Sequence, residues 1–243
     1  MSNPWFKYKQ FAIRQDKCAM KVGTDGVLLG AWTDVTNVHR VLDIGTGTGL
    51  IAIMLAQRTK TLIDAIEPEP DSCSQATENI KRCPWQDRIR IFNMTFQDYV
   101  SEILTDKSPE EEYDLIVTNP PYFIDSMKNP DKKKMQSRHA DNLTGDDILN
   151  GSMQLLNKKG KLCIILPVIE AELFQKTAIV RKFHCTRKLY IKPTPEKDAK
   201  RILLQFEWEE RSCEEETIVI ESGGRHKYSD EYRELTKEFY LGF

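Results

Sequence analysis

The 243-residue sequence is 30% charged and 40% hydrophobic, with a formal net charge of −2. That balance describes a globular chain long enough to bury a sizeable core, and it excludes a protein that coats nucleic acid through bulk charge. No apolar run approaches the roughly 20 residues that span a bilayer, and residues 1–11 mix Lys, Trp, Phe and Tyr without the apolar stretch of a secretory signal.

The six cysteines (18, 73, 83, 163, 185 and 213) form no CxxC pair and have no His at ligand spacing. Neither a disulfide framework nor a metal site is expected. Together these features predict a cytoplasmic protein of one domain over 1–243, with an N-terminal segment at 1–39 and the core at 40–243. Charge is unevenly spread: residues 181–201 carry eight Lys/Arg against Glu196 and Asp198, and residues 207–221 carry seven acids against Arg211. A local basic face on a near-neutral body fits that asymmetry.

Residues 4–17 place Trp5, Phe6, Tyr8 and Phe11 among lysines. They read either as an irregular segment packing its aromatics on the core or as an aromatic, basic surface for nucleic acid. Lys21-Val22-Gly23-Thr24-Asp25-Gly26 then forms a turn before a short helix, where Thr24 or Asp25 either caps the helix or touches a ligand. Residues 40–44 read as a strand running into Asp43-Ile44-Gly45-Thr46-Gly47-Thr48-Gly49, with an apolar helix at 51–57. Strand, glycine turn and helix make a mononucleotide-binding unit, because the glycines let backbone approach a ligand and the helix start offers unpaired N–H groups. The spacing is GxGxG, not the GxGxxG of a dinucleotide site, which disfavours a nicotinamide dehydrogenase.

A second strand at 62–66 ends in Glu67, a carboxylate suited to accept two ribose hydroxyls. A helix follows at 68–81, with Pro70 in its first turn. After a third strand at 89–93, Phe96 and Asp98 stand where an adenine would lie, either contacting it or serving as core and helix cap. The fourth strand, 113–118, stops at Asn119-Pro120-Pro121-Tyr122, since proline removes ladder donors and holds its predecessor extended. This stiff tip lies at the carboxyl edge, where open α/β sheets bind ligands. Residues 123–142 lack periodicity and carry Lys132, Lys133, Lys134 and Arg138, as expected of a substrate-side lid. Helices at 146–156, 170–183 and 229–240 and strands at 161–166, 186–191, 202–208 and 217–220 complete an α/β pattern with a mostly parallel sheet.

Asp43 through Gly49, Glu67 and Asn119-Pro120-Pro121-Tyr122 together resemble the class I S-adenosylmethionine-dependent amino-methyltransferases. That resemblance implies a Rossmann-like, seven-stranded sheet with helices on both faces. The stretches 6–11, 18–32 and 228–240 are similar to the bacterial tRNA1(Val) adenine-N6 methyltransferase family, so the likeness runs end to end. It implies a monomer that methylates the N6 amine of adenine 37, beside the anticodon of tRNA, without a metal. Asp43, Gly45, Gly47, Gly49 and Glu67 would hold S-adenosylmethionine, with Lys21, Thr24 and Asp25 closing over it and Phe96 and Asp98 at its adenine. Asn119 to Tyr122 would take the target base. Lys132, Lys133, Lys134, Arg138, Lys192, Lys200 and Arg201 are the candidates for RNA contact. Related enzymes with the same tetrapeptide methylate glutamine amides of proteins, but they usually carry a helical domain ahead of the glycine motif, and only about 40 residues precede the first core strand here. A fold that binds RNA without catalysis is disfavoured by the intact motifs.

Overall fold

The structure is a computed structural model, and it describes residues 4–18, 20–105, 112–121 and 143–243. Its first core strand, β3 (Arg40–Ile44), is buried beyond Arg40 and apolar there except for Asp43, and β4 (Leu62–Ile66) and β6 (Tyr113–Thr118) are buried and largely apolar over most of their length. Such runs belong to parallel strands covered by helices on both sides. With β5 (Ile89–Phe92), β7 (Leu156–Pro167), β8 (His184–Lys192), β9 (Arg201–Glu207) and β10 (Glu214–Val219) they form one sheet, ordered β10-β8-β9-β7-β6-β3-β4-β5. Only β9 runs antiparallel to its neighbours, β7 and β8.

Among the described residues the sheet has eight strands where the family resemblance implies seven; the strand expected at 217–220 is β10, which begins three residues earlier and lies parallel to β8 at the sheet edge. Its Glu214, Glu215 and Glu216 are exposed, and Lys188 pairs with Glu215 at 2.8 Å. Charge of this kind blunts an open edge. The sequence pattern also places the start of β7 too late. Lys158-Lys159-Gly160 resembles a helix terminus, yet the helix Gly145–Leu155 ends earlier and the glycine serves an irregularity in the β6–β7 register. A Cβ there would lie 2.9 Å from the Tyr113 carbonyl.

Helices α1 (Thr24–Trp32) and α2 (Leu50–Arg58) pack on one face of the sheet, against Val41, Ile63, Leu115 and Val117. α4 (Phe96–Thr105), α5 (Gly145–Leu155) and α6 (Val168–Val180) cover the other, against Leu42, Ile44, Ile116 and Ile164. α3 (Pro70–Arg82) flanks β5 and carries the N-terminal segment. That segment is a hairpin of β1 (Trp5–Lys7) and β2 (Ala12–Arg14), too short to show a period in sequence. Asn79 of α3 bonds both backbone groups of Arg14 at 2.9 Å and donates to the Thr48 carbonyl at 2.8 Å, tying the hairpin to the glycine turn. α7 (Asp230–Thr236) closes the chain beside α1. Among the described residues no helix is long and apolar enough to cross a membrane.

A buried acid braces β4. Asp64 accepts from Arg90 Nε at 2.7 Å, Arg40 Nη2 at 3.1 Å and the Tyr113 hydroxyl at 2.7 Å. Removing it leaves two guanidinium groups facing each other without an anion. Because Arg90 is 58% exposed, water screens part of that cost. Asp64→Ala is expected to lower unfolding free energy by about 2–3 kcal/mol, read by urea denaturation; a change below about 0.5 kcal/mol would show that the cluster contributes little.

Candidate active site

The turn from β3 into α2 is shaped by glycines. Gly45, Gly47 and Gly49 have φ of +69°, +56° and +80°, a region that other residues enter only with strain. A Cβ on Gly45 or Gly47 would meet nothing within 4 Å, so this side of the turn faces open space. The Gly45 and Thr46 N–H groups donate to the Ile66 carbonyl at 2.9 and 3.0 Å, fixing the turn to the end of β4. Asp43 lies beneath it. Its Oδ2 accepts from the Thr46 hydroxyl at 2.6 Å and the Ala52 N–H at 3.1 Å, while its buried Oδ1 has no partner. Burial outweighs these bonds and pushes the carboxyl up to about 7. Asp43 is therefore a loop-shaping residue and lines neither cavity described below.

Two cavities flank the turn and share Gly45, Gly47, Asn119 and Pro121. The first, about 280 Å³, runs along the tips of β4 and β5 past Glu67, Thr95 and Phe96. Glu67 accepts from the Gly47 N–H at 2.8 Å and the Glu69 N–H at 3.0 Å, which leaves acceptor capacity facing the cavity. Burial raises its carboxyl above the usual range against the pull of those two bonds. Phe96 is both core and wall: it is 3% exposed and lines the cavity. Asp98 is exposed and turned away; its carboxylate accepts from the Thr95 hydroxyl at 2.8 Å at the start of α4. Asp98 is neither at the cavity nor the cap: it lies inside α4 and donates its N–H to the Thr95 hydroxyl at 3.1 Å, so Thr95 caps the helix and also lines the cavity.

The second cavity, about 410 Å³, lies between the turn and the start of α1, with Lys21, Thr24, Asp25 and Gly26 on its wall. Gly23, not Thr24 or Asp25, is the N-cap of α1, and no side chain caps it. Asp25 accepts from Arg201 Nε at 2.8 Å. This pair joins two residues that the sequence pattern assigns to different ligands, and it pins α1 to β9. Of the other expected RNA contacts, Lys192 donates to the Pro195 carbonyl at 2.7 Å, and Lys200 is exposed. Tyr122, Lys132, Lys133, Lys134 and Arg138, with the expected lid at 123–142, lie outside the described residues.

Asn119 stands where the two cavities meet. Thr118, the last residue of β6, donates its hydroxyl to the Ile44 carbonyl at 2.9 Å, and the two residues are in register. Asn119 therefore emerges beside Gly45. α1 closes from the other side: a Cβ on Gly26 would lie 3.2 Å from Leu50 and 4.0 Å from the Asn119 amide nitrogen. Thr118, Asn79 and Met20, which also lines both cavities, carried no signal in the sequence, because their roles depend on chain that is distant in sequence.

A turn of this shape between sheet and helix, opening on an acid at the second strand and an Asn-Pro-Pro tip at the fourth, is the site of a methyltransferase. A family model for the methyltransferase small domain matches residues 22–192, and the chain is a member of that class. A protein of Bacteroides fragilis, "tRNA1(Val) (adenine(37)-N6)-methyltransferase", is 45% identical over 241 residues, covering 99% of each chain. A protein of the same name from Trichodesmium erythraeum is 44% identical over 246 residues, covering all of both. The chain belongs to the tRNA1(Val) (adenine(37)-N6)-methyltransferase family. A solved structure of a predicted O-methyltransferase from Agrobacterium tumefaciens shares the fold, with a TM-score of 0.69 at 17% identity over 88% of this chain and 96% of that one.

Two outcomes follow from this geometry. Gly151 of α5 backs Phe96: a Cβ there would lie 2.5 Å from the ring. Gly151→Ala is expected to displace Phe96, costing about 1–3 kcal/mol of stability and weakening S-adenosylhomocysteine binding by calorimetry; unchanged affinity would remove Phe96 from the binding wall. Asp43→Asn keeps an acceptor for Thr46 and Ala52 but cannot titrate. With its carboxyl raised from 3.8 to about 7, Asp43 holds a proton in the folded state that the unfolded chain releases. Its contribution is fully present below pH 3.8 and is lost as pH rises through about 7. The stability of wild type minus that of Asp43→Asn should accordingly fall across this window in thermal scans, and a flat difference would mean the group ionises normally.

Proposed function

We propose that the protein transfers the methyl group of S-adenosylmethionine to the exocyclic N6 amine of adenine 37 in a tRNA1(Val)-type tRNA. The observation that carries this is the position of Asn119, at the junction of the two cavities and one residue past the β3–β6 tie. The cavities suit the methyl donor: an elongated space bends around a glycine turn with open φ-positive backbone, and a carboxylate with unused acceptor capacity stands at one end. Glu67 would accept the ribose hydroxyls, Phe96 and Thr95 would flank the adenine, and Gly45 and Gly47 would lie against the middle. Lys21 and Thr24 would close the end nearer α1, with Asp25 steadied by Arg201. When bound, the donor supplies an electrophilic methyl on a sulfonium.

The chain's own work is to aim an amine. The N6 lone pair of adenine is delocalised into the ring and is a weak nucleophile. The Asn119 side-chain oxygen and the Pro120 carbonyl can accept the two N6–H bonds and turn the lone pair toward the donor cavity. Tyr122, next in the sequence, would supply the stacking ring. Proline at 120 and 121 fixes these acceptors with little entropy left to lose. Attack leaves an acidic ammonium, so no strong side-chain base is needed, no Lewis acid is called for, and positioning supplies most of the rate. The reading takes the protein as a cytoplasmic monomer in which Lys132, Lys133, Lys134, Arg138 and the exposed Lys200 would meet phosphates.

Asn119→Ala should reduce methyl transfer to tRNA by about 100-fold or more while calorimetric S-adenosylhomocysteine affinity stays within a few-fold. Wild-type rates in that variant would overturn the assignment. Nucleoside analysis of tRNA labelled by the wild-type protein should yield N6-methyladenosine; label in protein would favour a glutamine amide as acceptor instead.

A further inference from the structure

A third cavity, about 420 Å³, opens on the far side of the α1 start. Val22, Gly23 and Thr24 form a wall common to it and to the cavity that holds Asn119. Three residues of extended chain span at most about 10 Å, so the two openings lie within a short length of each other.

The remaining walls come from opposite ends of the sequence, and they are aromatic. Phe6, Tyr228, Tyr240 and Phe243 are each half-buried at this cavity, above a fully buried Tyr232. Their rings meet edge to face, Phe6 on Tyr240 at 6.0 Å, Tyr240 on Phe243 at 5.2 Å and Tyr228 on Phe243 at 5.2 Å. The wall is pinned as well as packed. The Lys9 ammonium donates to the Lys237 and Phe243 carbonyls at 2.6 and 2.7 Å, and the Lys9 N–H donates to the Phe239 carbonyl at 2.8 Å. Cations stand at its rim: Lys7 is exposed on the wall, and the Arg233 guanidinium lies 5.2 Å from the Phe243 ring centre. Of the N-terminal aromatics, Tyr8 and Phe11 are consumed by the core, and Phe6 reaches this cavity.

We propose that this cavity takes the base of an unpaired nucleotide flanking the target adenine, with the rim cations facing its phosphate. The proposal rests on the tRNA reading given above. Proteins read single-stranded RNA by splaying bases onto aromatic side chains, and such stacking tolerates any base because each has a π-face. An adenine beside the anticodon has unpaired neighbours tethered to it. A base seated here would fix the strand next to Asn119 and supply positioning that Asn119 itself cannot.

The test uses an anticodon stem-loop RNA with 2-aminopurine placed in turn at the positions flanking the target, mixed with the full-length protein and S-adenosylhomocysteine. One flanking position should show fluorescence quenching on binding. Phe6→Leu and Phe243→Leu keep apolar bulk but lose the π-face. They should abolish the quenching and raise KM for the stem-loop by about 5- to 100-fold, with kcat, melting temperature and S-adenosylhomocysteine affinity near wild type. Methylation by wild type with no quenching at any flanking position, or quenching and KM unchanged in both variants, overturns the stacking site and leaves the methyltransferase reading standing. Absence of stem-loop methylation by wild type overturns that reading, and the proposal falls with it.

Discussion

One side-chain hydroxyl bond ties the strand ends at which the two cavities meet. Thr118 donates to the Ile44 carbonyl, so β6 and β3 end together. Two segments that refuse to continue a strand then leave the sheet side by side. One turns because glycine permits φ values that other residues avoid; the other stops because proline has no N–H for the ladder. If one strand slipped by a residue against the other, Asn119 would no longer line the same cavities as Gly45 and Gly47, and every side chain of the strand would change face. The Ile66 carbonyl extends the arrangement to β4 by taking the Gly45 and Thr46 N–H groups, which brings Glu67 alongside. Cavity shape thus follows from where three parallel strands end.

Three buried acids lie within β3, within β4 and just past the end of β4, and each is compensated differently. Asp64 meets two guanidinium groups and a phenol and serves the sheet. Glu67 meets two backbone N–H groups and keeps acceptor capacity for a ligand. Asp43 meets one hydroxyl and one N–H, with its second oxygen unpartnered, and its carboxyl is the one pushed up to about 7. Buried charge is costly unless paired and hydrogen-bonded. Burial outweighs the two bonds that Asp43 makes, and this acid sits under the turn and lines neither cavity.

The sequence displayed β3, β4 and β6 plainly, because strands buried on both faces are continuous apolar runs with turn residues at their ends. It displayed the glycine turn, Glu67 and Asn119-Pro120-Pro121 for the same reason: each depends on its own few neighbours. What it hid depends on distant chain. Asp25 and Arg201 are 176 positions apart, and nothing local announces that they pair. Gly160 looked like a helix stop because a glycine after two lysines usually is one, whereas the Tyr113 carbonyl pressing on it is a feature of β6. Phe96 admitted two readings, core or adenine contact; it is part of the core, and its ring also lines a cavity, since a ring at the edge of a core can present a face to each. β1 and β2 escaped because three residues cannot display a period and because their hydrogen bonds come partly from an Asn side chain.

α1 explains why the two ends of the chain belong to the site. It is buried from Gly26 to Trp32 with almost no apolar moment around it, as a helix enclosed on all sides must be. Its start is fixed by contacts from four directions: Arg201 holds Asp25, Gln15 accepts the Val22 N–H at 2.8 Å, Gly26 lets Leu50 and Asn119 come close, and the aromatic wall stands behind Val22 to Thr24. A loop lying over a ligand is ordinarily among the least stable parts of a fold. Here the short approach to α1 forms one wall of the cavity at Asn119 and one wall of the aromatic cavity. Sewing the N-terminal hairpin to the C-terminal segment through Lys9 makes it part of a packed layer. The hairpin and the C-terminal segment, both outside the strand–turn–helix core, therefore brace the segment shared by both cavities.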